Sequence, residues 1–496
     1  MTGGAPTGGA GELVSFDPRD GRELGRYPRH SPADVAAAVA AARRASSGWA
    51  GLGHTERRRR LDAWRRLVVR RVPELVQLIS AETGKTTADA QLEAVLVVDH
   101  LRWAAAHAAR VLRRRRVFPG LLMYNHTATV DHHPLGVVGV IGPWNYPAFI
   151  PIGPIAHALA AGNTVVFKPS EYTPAVGAWL ADTLDEVIGG PRVLEVVFGA
   201  GDTGAALCSA GVDKVAFTGS TATGRRVMAA CAQGPTPVVL ECGGKDAMLV
   251  DRDADVAAAA DAAVWGGLSN AGQTCVGVER VYVHEAVADR FTALVVETAA
   301  ALRTGTGPGA DFGPMTTPEQ PGIVQEHIRD ALSRGARALL GGPDSARAGS
   351  ASVRPVVLTD VPEDALVMTE ETFGPVLVIN RVAAMEEAVE RTNRSVYGLG
   401  AAVYSRSAGT RIARQLRVGM VSVNSVLAFS GVPALPFGGT GASGFGRVHG
   451  PEGLREFART QSVTRQRVRP FLQPLSFRRG PRTMDILLRL VRTVRG

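Results

Sequence analysis

Cys275 closes the run Asn270-Ala271-Gly272-Gln273-Thr274-Cys275, just after a helical stretch. A thiolate there can attack a carbonyl carbon or bind a metal. The other cysteines, Cys208, Cys231 and Cys242, read as buried and inert, and no two of the four form a CxxC pair, so neither disulfides nor a zinc site is expected. Glu241 ends the apolar run Pro237-Val238-Val239-Leu240 and precedes Cys242-Gly243-Gly244. A carboxylate at the end of a buried strand is costly unless it is paired, protonated or used. It is either a structural ion-pair member or a partly desolvated acid with a raised pKa, suited to activating water. Asn145 sits in Pro143-Trp144-Asn145-Tyr146-Pro147, a turn held by two prolines. It is either a turn residue or the donor of an amide N–H to an oxyanion.

Two more segments are suited to a phosphate and a sugar. Gly219-Ser220-Thr221-Ala222-Thr223-Gly224 lies between a strand and a helix. Its small residues let a phosphate approach the helix N-terminus, although the run only nearly matches GxGxxG. Lys168-Pro169-Ser170-Glu171 follows another strand, where Lys168 and Glu171 could bind ribose hydroxyls. A carboxylate on the ribose 2′-OH favours NAD over NADP, whose 2′-phosphate it would repel.

Such residues need rigid elements to hold them. Residues 31–115 carry helical spacing, clearest at 34–45, 56–71 and 73–83, with Pro32 and Pro73 suited to first turns. Short β-branched runs follow at 137–141, 164–167, 194–198, 214–218 and 237–240, with helical patterns in several gaps. That alternation predicts an α/β fold with a parallel, doubly wound sheet, which binds ligands at the carboxyl ends of its strands. A second α/β section spans about 245–450, with strands at 278–283, 353–358, 376–379, 401–404 and 420–423 and helices near 255–269, 286–301 and 321–334. Residues 135–167 hold no Asp, Glu, Lys or Arg. The run is long enough to span a bilayer, but its four prolines favour strand, turn, buried helix, strand.

Together these residues resemble the NAD(P)-dependent aldehyde dehydrogenase superfamily over about residues 12–465. The segments that carry the likeness are 82–85, 143–147, 168–171, 217–224, 240–245, 272–275, 370–376 (EETFGPV) and 435–447 (LPFGGTGASGFGR). The resemblance implies a Rossmann-like NAD-binding domain at 12–116 and 134–241, an α/β catalytic domain at 242–450, and a small β oligomerisation arm at 117–133 and 451–470. It implies Cys275 as nucleophile, Glu241 as general base and Asn145 as the oxyanion-hole amide. For the cofactor, NAD with NADP as the alternative, it implies Trp144, Lys168, Ser170, Glu171, Gly219, Ser220, Gly224, Glu371 and Phe373. Gly441 stands where many members carry Lys, and FGGTGASG looks like the class 3 branch, whereas CVGVERVYV at 275–283 looks closer to semialdehyde dehydrogenases. The expected reaction is oxidation of an aliphatic or aromatic aldehyde. Succinic semialdehyde, with Arg280 as a carboxylate anchor, is the alternative; an inactive homologue that serves as an interaction protein is a third reading. A homodimer or homotetramer is implied.

The net charge is +9, which invites a nucleic-acid reading. Yet residues 465–496 hold nine arginines and one acid, so this short tail carries +8 of it. The arginine runs 57–60 and 113–116 read as solvated faces, with no interleaved aromatic to stack a base, and no nucleic-acid partner is expected. Residues 471–496 form a basic amphipathic tail, whose 484–496 part is either docked on protein or in peripheral contact with a membrane. Residues 1–11, rich in Gly, Ala, Thr and Pro, read as a disordered tail rather than a signal peptide, and a cytoplasmic location is expected.

Overall fold

The computed structural model describes residues 11–307, 309–346, 349–470 and 473–495. The expected disordered tail therefore lies, except for Gly11, outside the described residues. The chain forms two compact units: one reaches to Val111 and resumes over Pro134–Ala458, and the other comprises Leu112–His133 and the residues from Arg459 on.

Within the larger unit, the first sheet runs in the order Gly444–Phe445, Val238–Glu241, Lys214–Thr218, Val137–Ile141, Thr164–Lys168, Leu194–Val196. All neighbours are parallel except the short Gly444–Phe445 edge. Chain order reverses between Val137–Ile141 and Lys214–Thr218, which opens a crevice at their carboxyl ends. The uncharged stretch resolves into the strand Val137–Ile141, a turn, the buried helix Phe149–Ala161 and the strand Thr164–Lys168. No described helix is long and apolar enough to cross a membrane.

The helices Pro32–Gly51, Gly53–Arg70, Val72–Thr83 and Thr87–Val111 account for the amino-terminal periodicity. Ser31 starts the first with a reciprocal cap: its hydroxyl accepts from the Asp34 N–H, and its own N–H donates to the Asp34 carboxylate. The run 57–60 is not wholly solvated as expected. Arg57 is buried and donates to the carbonyls of Ala50 (2.9 Å) and Ala160 (3.3 Å), meeting acceptors left over at helix ends.

The second sheet runs in the order Arg337–Leu340, Val356–Thr359, Val376–Val382, Val278–His284, Asp246–Val250, Gly400–Tyr404, Met420–Val423, parallel but for the first strand. Asp246–Val250 escaped the sequence pattern. It opens on a buried acid and has one β-branched residue, so neither alternation nor composition marks it, though both its neighbours pair with it.

The smaller unit holds a three-stranded sheet in the order Ala458–Gln466, His126–Pro134, Arg115–Val117, and the helix Arg482–Arg495. The bounds differ from the expected 117–133 and 451–470. The arm strand begins at Arg115, and the helix Gly450–Glu456 belongs to the larger unit, where it packs on helices Thr87–Val111 and Phe149–Ala161.

Candidate active site

The loop that presents Cys275 is held in a costly backbone conformation. Asn270, Ala271 and Gly272 have φ of 52°, 57° and 71°, the left-handed region that non-glycine residues enter at a cost of about 1–3 kcal/mol each. A β-carbon on Gly272 would lie 2.2 Å from the Gly374 carbonyl oxygen, so only glycine fits. Reciprocal bonds hold the bend: Gln273 Nε2 donates to the Asn270 carbonyl (2.9 Å) and Asn270 Nδ2 to the Gln273 carbonyl (3.2 Å). Thr316 N–H donates to Gln273 Oε1 at 2.8 Å and ties the loop to its neighbour.

This bend brings Cys275 Sγ to 3.5 Å from Glu241 Oε1, with the thiol donating. Glu241 is the last residue of its strand and is buried; Thr218 Oγ1 donates to its other oxygen at 3.1 Å. Burial pushes the Glu241 pKa up to about 7, against the pull of those two hydrogen bonds. Burial, then the carboxylates of Glu241, Glu371 and Asp246, push the Cys275 thiol well above its ordinary range. The two effects belong together: the thiol stays protonated beside a carboxylate that can take its proton.

Asn145 stands at the carboxyl end of Val137–Ile141, where chain order reverses. Its Nδ2 donates to the Gln273 carbonyl at 3.0 Å, which spends one of two amide hydrogens and turns the group toward the cysteine loop. Its carbonyl accepts from Lys85 Nζ at 2.7 Å and from Asn270 Nδ2 at 3.3 Å. Lys85, fully buried, also donates to Glu93 Oε2 at 2.8 Å and lies 4.0 Å from the Tyr146 ring centre. Glu93 Oε1 in turn accepts the N–H groups of Ala148 and Phe149. Glu93, Thr218 and Gln273 were not found from sequence: each acts through a partner far away in the chain, and none stands in a spacing that announces it. Lys85 lies in the segment 82–85 that carries the family likeness, but sequence assigned it no partner.

Two cavities meet at Cys275. One, of about 300 Å³, is lined by Trp144, Asn145, Gly219, Ser220, Glu371 and Phe373 among others. Trp144 and Phe373 meet edge to face at 5.4 Å. Ser220 caps the helix Thr221–Cys231 by accepting from the Thr223 N–H at 3.3 Å, and a β-carbon on Gly219 would lie 2.7 Å from the Phe217 ring. The Glu371 carboxyl accepts from the Gly244 N–H at 3.1 Å and lies where a β-carbon of Gly243 would be. Burial, then Glu279, pushes its pKa up to about 8. Lys168, Ser170 and Glu171 sit together at the end of the next strand, outside this lining; Lys168 Nζ donates to Glu171 Oε2 at 3.3 Å. Gly224 is one turn into its helix and serves packing: a β-carbon there would lie 2.7 Å from Cys242 Sγ.

The other cavity, of about 230 Å³, reaches both Cys275 and Glu241. Its walls include Tyr146, Phe149, Trp265, Val426, Leu427 and Phe437, and its lining has neither Lys nor Arg. Arg280 is elsewhere, buried, with its guanidinium donating to the Lys245 carbonyl at 2.5 and 3.1 Å. Among the described residues no group of three or more His, Cys, Asp or Glu is placed to hold a metal ion.

The comparisons with known proteins agree with one another. The family model described as "Aldehyde dehydrogenase family" matches residues 7–463. The chain is similar to 4,4'-diapolycopene aldehyde oxidase of Methylomonas sp, 42% identical, covering 90% of this chain and 84% of that one. It is similar to a Mycolicibacterium smegmatis protein provisionally named succinate-semialdehyde dehydrogenase (NADP(+)), 40% identical, over 92% and 89% of the two chains. Among solved structures it is similar to the NAD-dependent aldehyde dehydrogenase of Sinorhizobium meliloti, with a TM-score of 0.88, 33% identity and 92% of each chain covered. With a family match over nearly the whole length and relatives about 40% identical over most of both chains, this chain belongs to the aldehyde dehydrogenase family.

Proposed function

We propose that the protein oxidises an apolar aldehyde, aliphatic or aromatic, to its carboxylic acid, with NAD as acceptor. The observation that carries this is the Cys275 thiol on the Glu241 carboxylate where the two cavities meet. Glu241 takes the thiol proton as Sγ adds to the aldehyde carbon. The oxygen of the thiohemiacetal is then an anion, which the free N–H of Asn145 Nδ2 and the Cys275 backbone N–H hold. One such donor is worth about 10²–10³ in rate. The Gly219–Ser220 turn, at the start of the helix Thr221–Cys231, and the cavity beside it fit a dinucleotide, whose phosphates a helix N-terminus would favour. NAD bound there supplies the acceptor for the hydride that leaves the thiohemiacetal carbon. Cys275 then carries a thioester. Once Glu241 has released the thiol proton to solvent it is again a base, and it takes a proton from the water that hydrolyses the thioester and frees the acid from Sγ.

Trp144, Phe373, Ser220 and Glu371 would hold the nicotinamide half, and Lys168, Ser170 and Glu171 the adenosine ribose, where the Glu171 carboxylate favours NAD over NADP. The cation-free cavity supports an apolar aldehyde over succinic semialdehyde, whose carboxylate would be desolvated there without a partner. The engagement of Arg280 with Lys245 supports the same choice. The exposed strands Ala458–Gln466 and Arg115–Val117, open edges of their sheet, support a homodimer or homotetramer. Four free cysteines are in keeping with work in the cytoplasm. A kinetic panel tests the substrate: medium-chain or aromatic aldehydes should exceed succinic semialdehyde in kcat/KM, and the reverse order would overturn the assignment.

A further inference from the structure

None of the residues assigned to the chemistry lies beyond Gln466, yet this tail holds most of the net charge. Its helix Arg482–Arg495 has 14 residues and is therefore about 21 Å long, too short to span a bilayer. At 3.6 residues per turn, Met484, Ile486, Leu487, Leu488, Leu490 and Val491 share one broad face. Arg482, Asp485, Arg489 and Arg492 occupy the opposite side. Most of the apolar face is uncovered: Met484, Ile486, Leu488, Leu490 and Val491 are each 41–52% exposed, while Leu487 is partly buried. Before the helix, Leu475 and Phe477 also stand exposed, beside Arg478 and Arg479.

We propose that this helix lies flat in the surface of an anionic lipid bilayer, apolar face down, with its arginines at the headgroups. Two facts select this occupant. An apolar groove on another protein would satisfy the leucines but leave the four helix arginines, and the +8 of residues 465–496, without counter-charge. A lipid surface supplies both a hydrocarbon layer and a sheet of negative headgroups. The lipid contact is independent of the reaction proposed above. Its use rests on that reaction: an apolar aldehyde partitions into lipid, and an enzyme held there meets it at higher concentration.

Vesicle flotation of the full chain tests this, with phosphatidylcholine vesicles against vesicles that also contain phosphatidylglycerol. The protein should float with the anionic vesicles only, and high salt should release it. A chain carrying Leu487→Glu, Leu490→Glu and Val491→Glu together should no longer float, while its rate on a short, water-soluble aldehyde stays unchanged. Replacing Arg482, Arg489 and Arg492 by Gln should lower partitioning about a hundredfold, at about fivefold per arginine. The proposal is overturned if the native chain stays in solution with anionic vesicles, or if the triple-Glu chain floats equally well. It is also overturned if that chain has a smaller molar mass in solution than the native one, since the helix would then be a subunit contact.

Discussion

A buried carboxylate 3.5 Å from a half-buried thiol makes the protonation of each depend on the other. Glu241, at about 7, is half ionised near neutrality, and only the ionised form can accept a proton from thiol or water. Thioester hydrolysis should therefore rise with pH between about 6 and 8 and then level off. Glu241→Gln should lose about 10²–10⁴ in turnover and flatten that profile, as steady-state rates across pH would measure. Asn145→Ala should lower kcat by about 10²–10³ with a much smaller change in NAD binding, read by initial rates and by fluorescence titration of the cofactor. Sequence alone marked Cys275, Glu241 and Asn145 because each stands in an unusual local context: beside glycines, at a strand end, between prolines. It did not reveal Thr218 on Glu241 or Gln273 on Asn145, because those bonds join residues brought together only when the sheet forms.

The elements position these groups by crowding. In the left-handed stretch Asn270 to Gly272, the Gly374 carbonyl lies where a side chain at position 272 would be, so only glycine fits there. Gly272→Ala should misplace Cys275 and lower kcat by about two orders of magnitude or more, a loss of the kind that a misplacement near 1 Å brings. The buried Lys85–Glu93 pair ties three segments together: the helix Thr87–Val111, the Asn145 turn and the start of the helix Phe149–Ala161. Lys85→Met would strand the Glu93 carboxylate in the core, and should cost about 3–5 kcal/mol of stability in thermal or urea unfolding. The first sheet was legible, but for its short edge Gly444–Phe445, since its other strands are β-branched runs punctuated by Gly and Pro. The second was legible except for Asp246–Val250 and the edge strand Arg337–Leu340, whose composition does not favour strand and whose places are set by the strands beside them. Arg57 misled for a related reason: a run of four arginines on a helix must turn some inward, and which one depends on the facing helix end.

Across the whole molecule, buried acids set how stability responds to pH. Asp246 is held up to about 8 and Glu82 up to about 7, mainly by burial. Each is protonated in the folded chain at pH values where the unfolded chain has already ionised it. The folded state thus binds the extra proton: stability is full below the ordinary carboxylate range, declines as pH rises from there by up to about 1.4 kcal/mol per pH unit for each group, and levels off above about 7 for Glu82 and about 8 for Asp246. Asp246→Asn should remove its share, so its Tm should fall less than that of the native chain between pH 6 and 9. The net charge, which pointed to nucleic acid when taken whole, belongs to residues 465–496, and sequence located it without saying what it meets.

The reaction itself is tested most directly by the Glu241→Gln chain mixed with NAD and a medium-chain aldehyde, with NADH followed in time and the quenched protein analysed by peptide mass. About one NADH per active site should form, more slowly than in the native chain because the thiol has lost its base too; turnover should then stall, and the acyl group should be found on Cys275 as a thioester. Sustained turnover at the native rate, or an acyl group on any residue other than Cys275, would contradict the assignment of nucleophile and base.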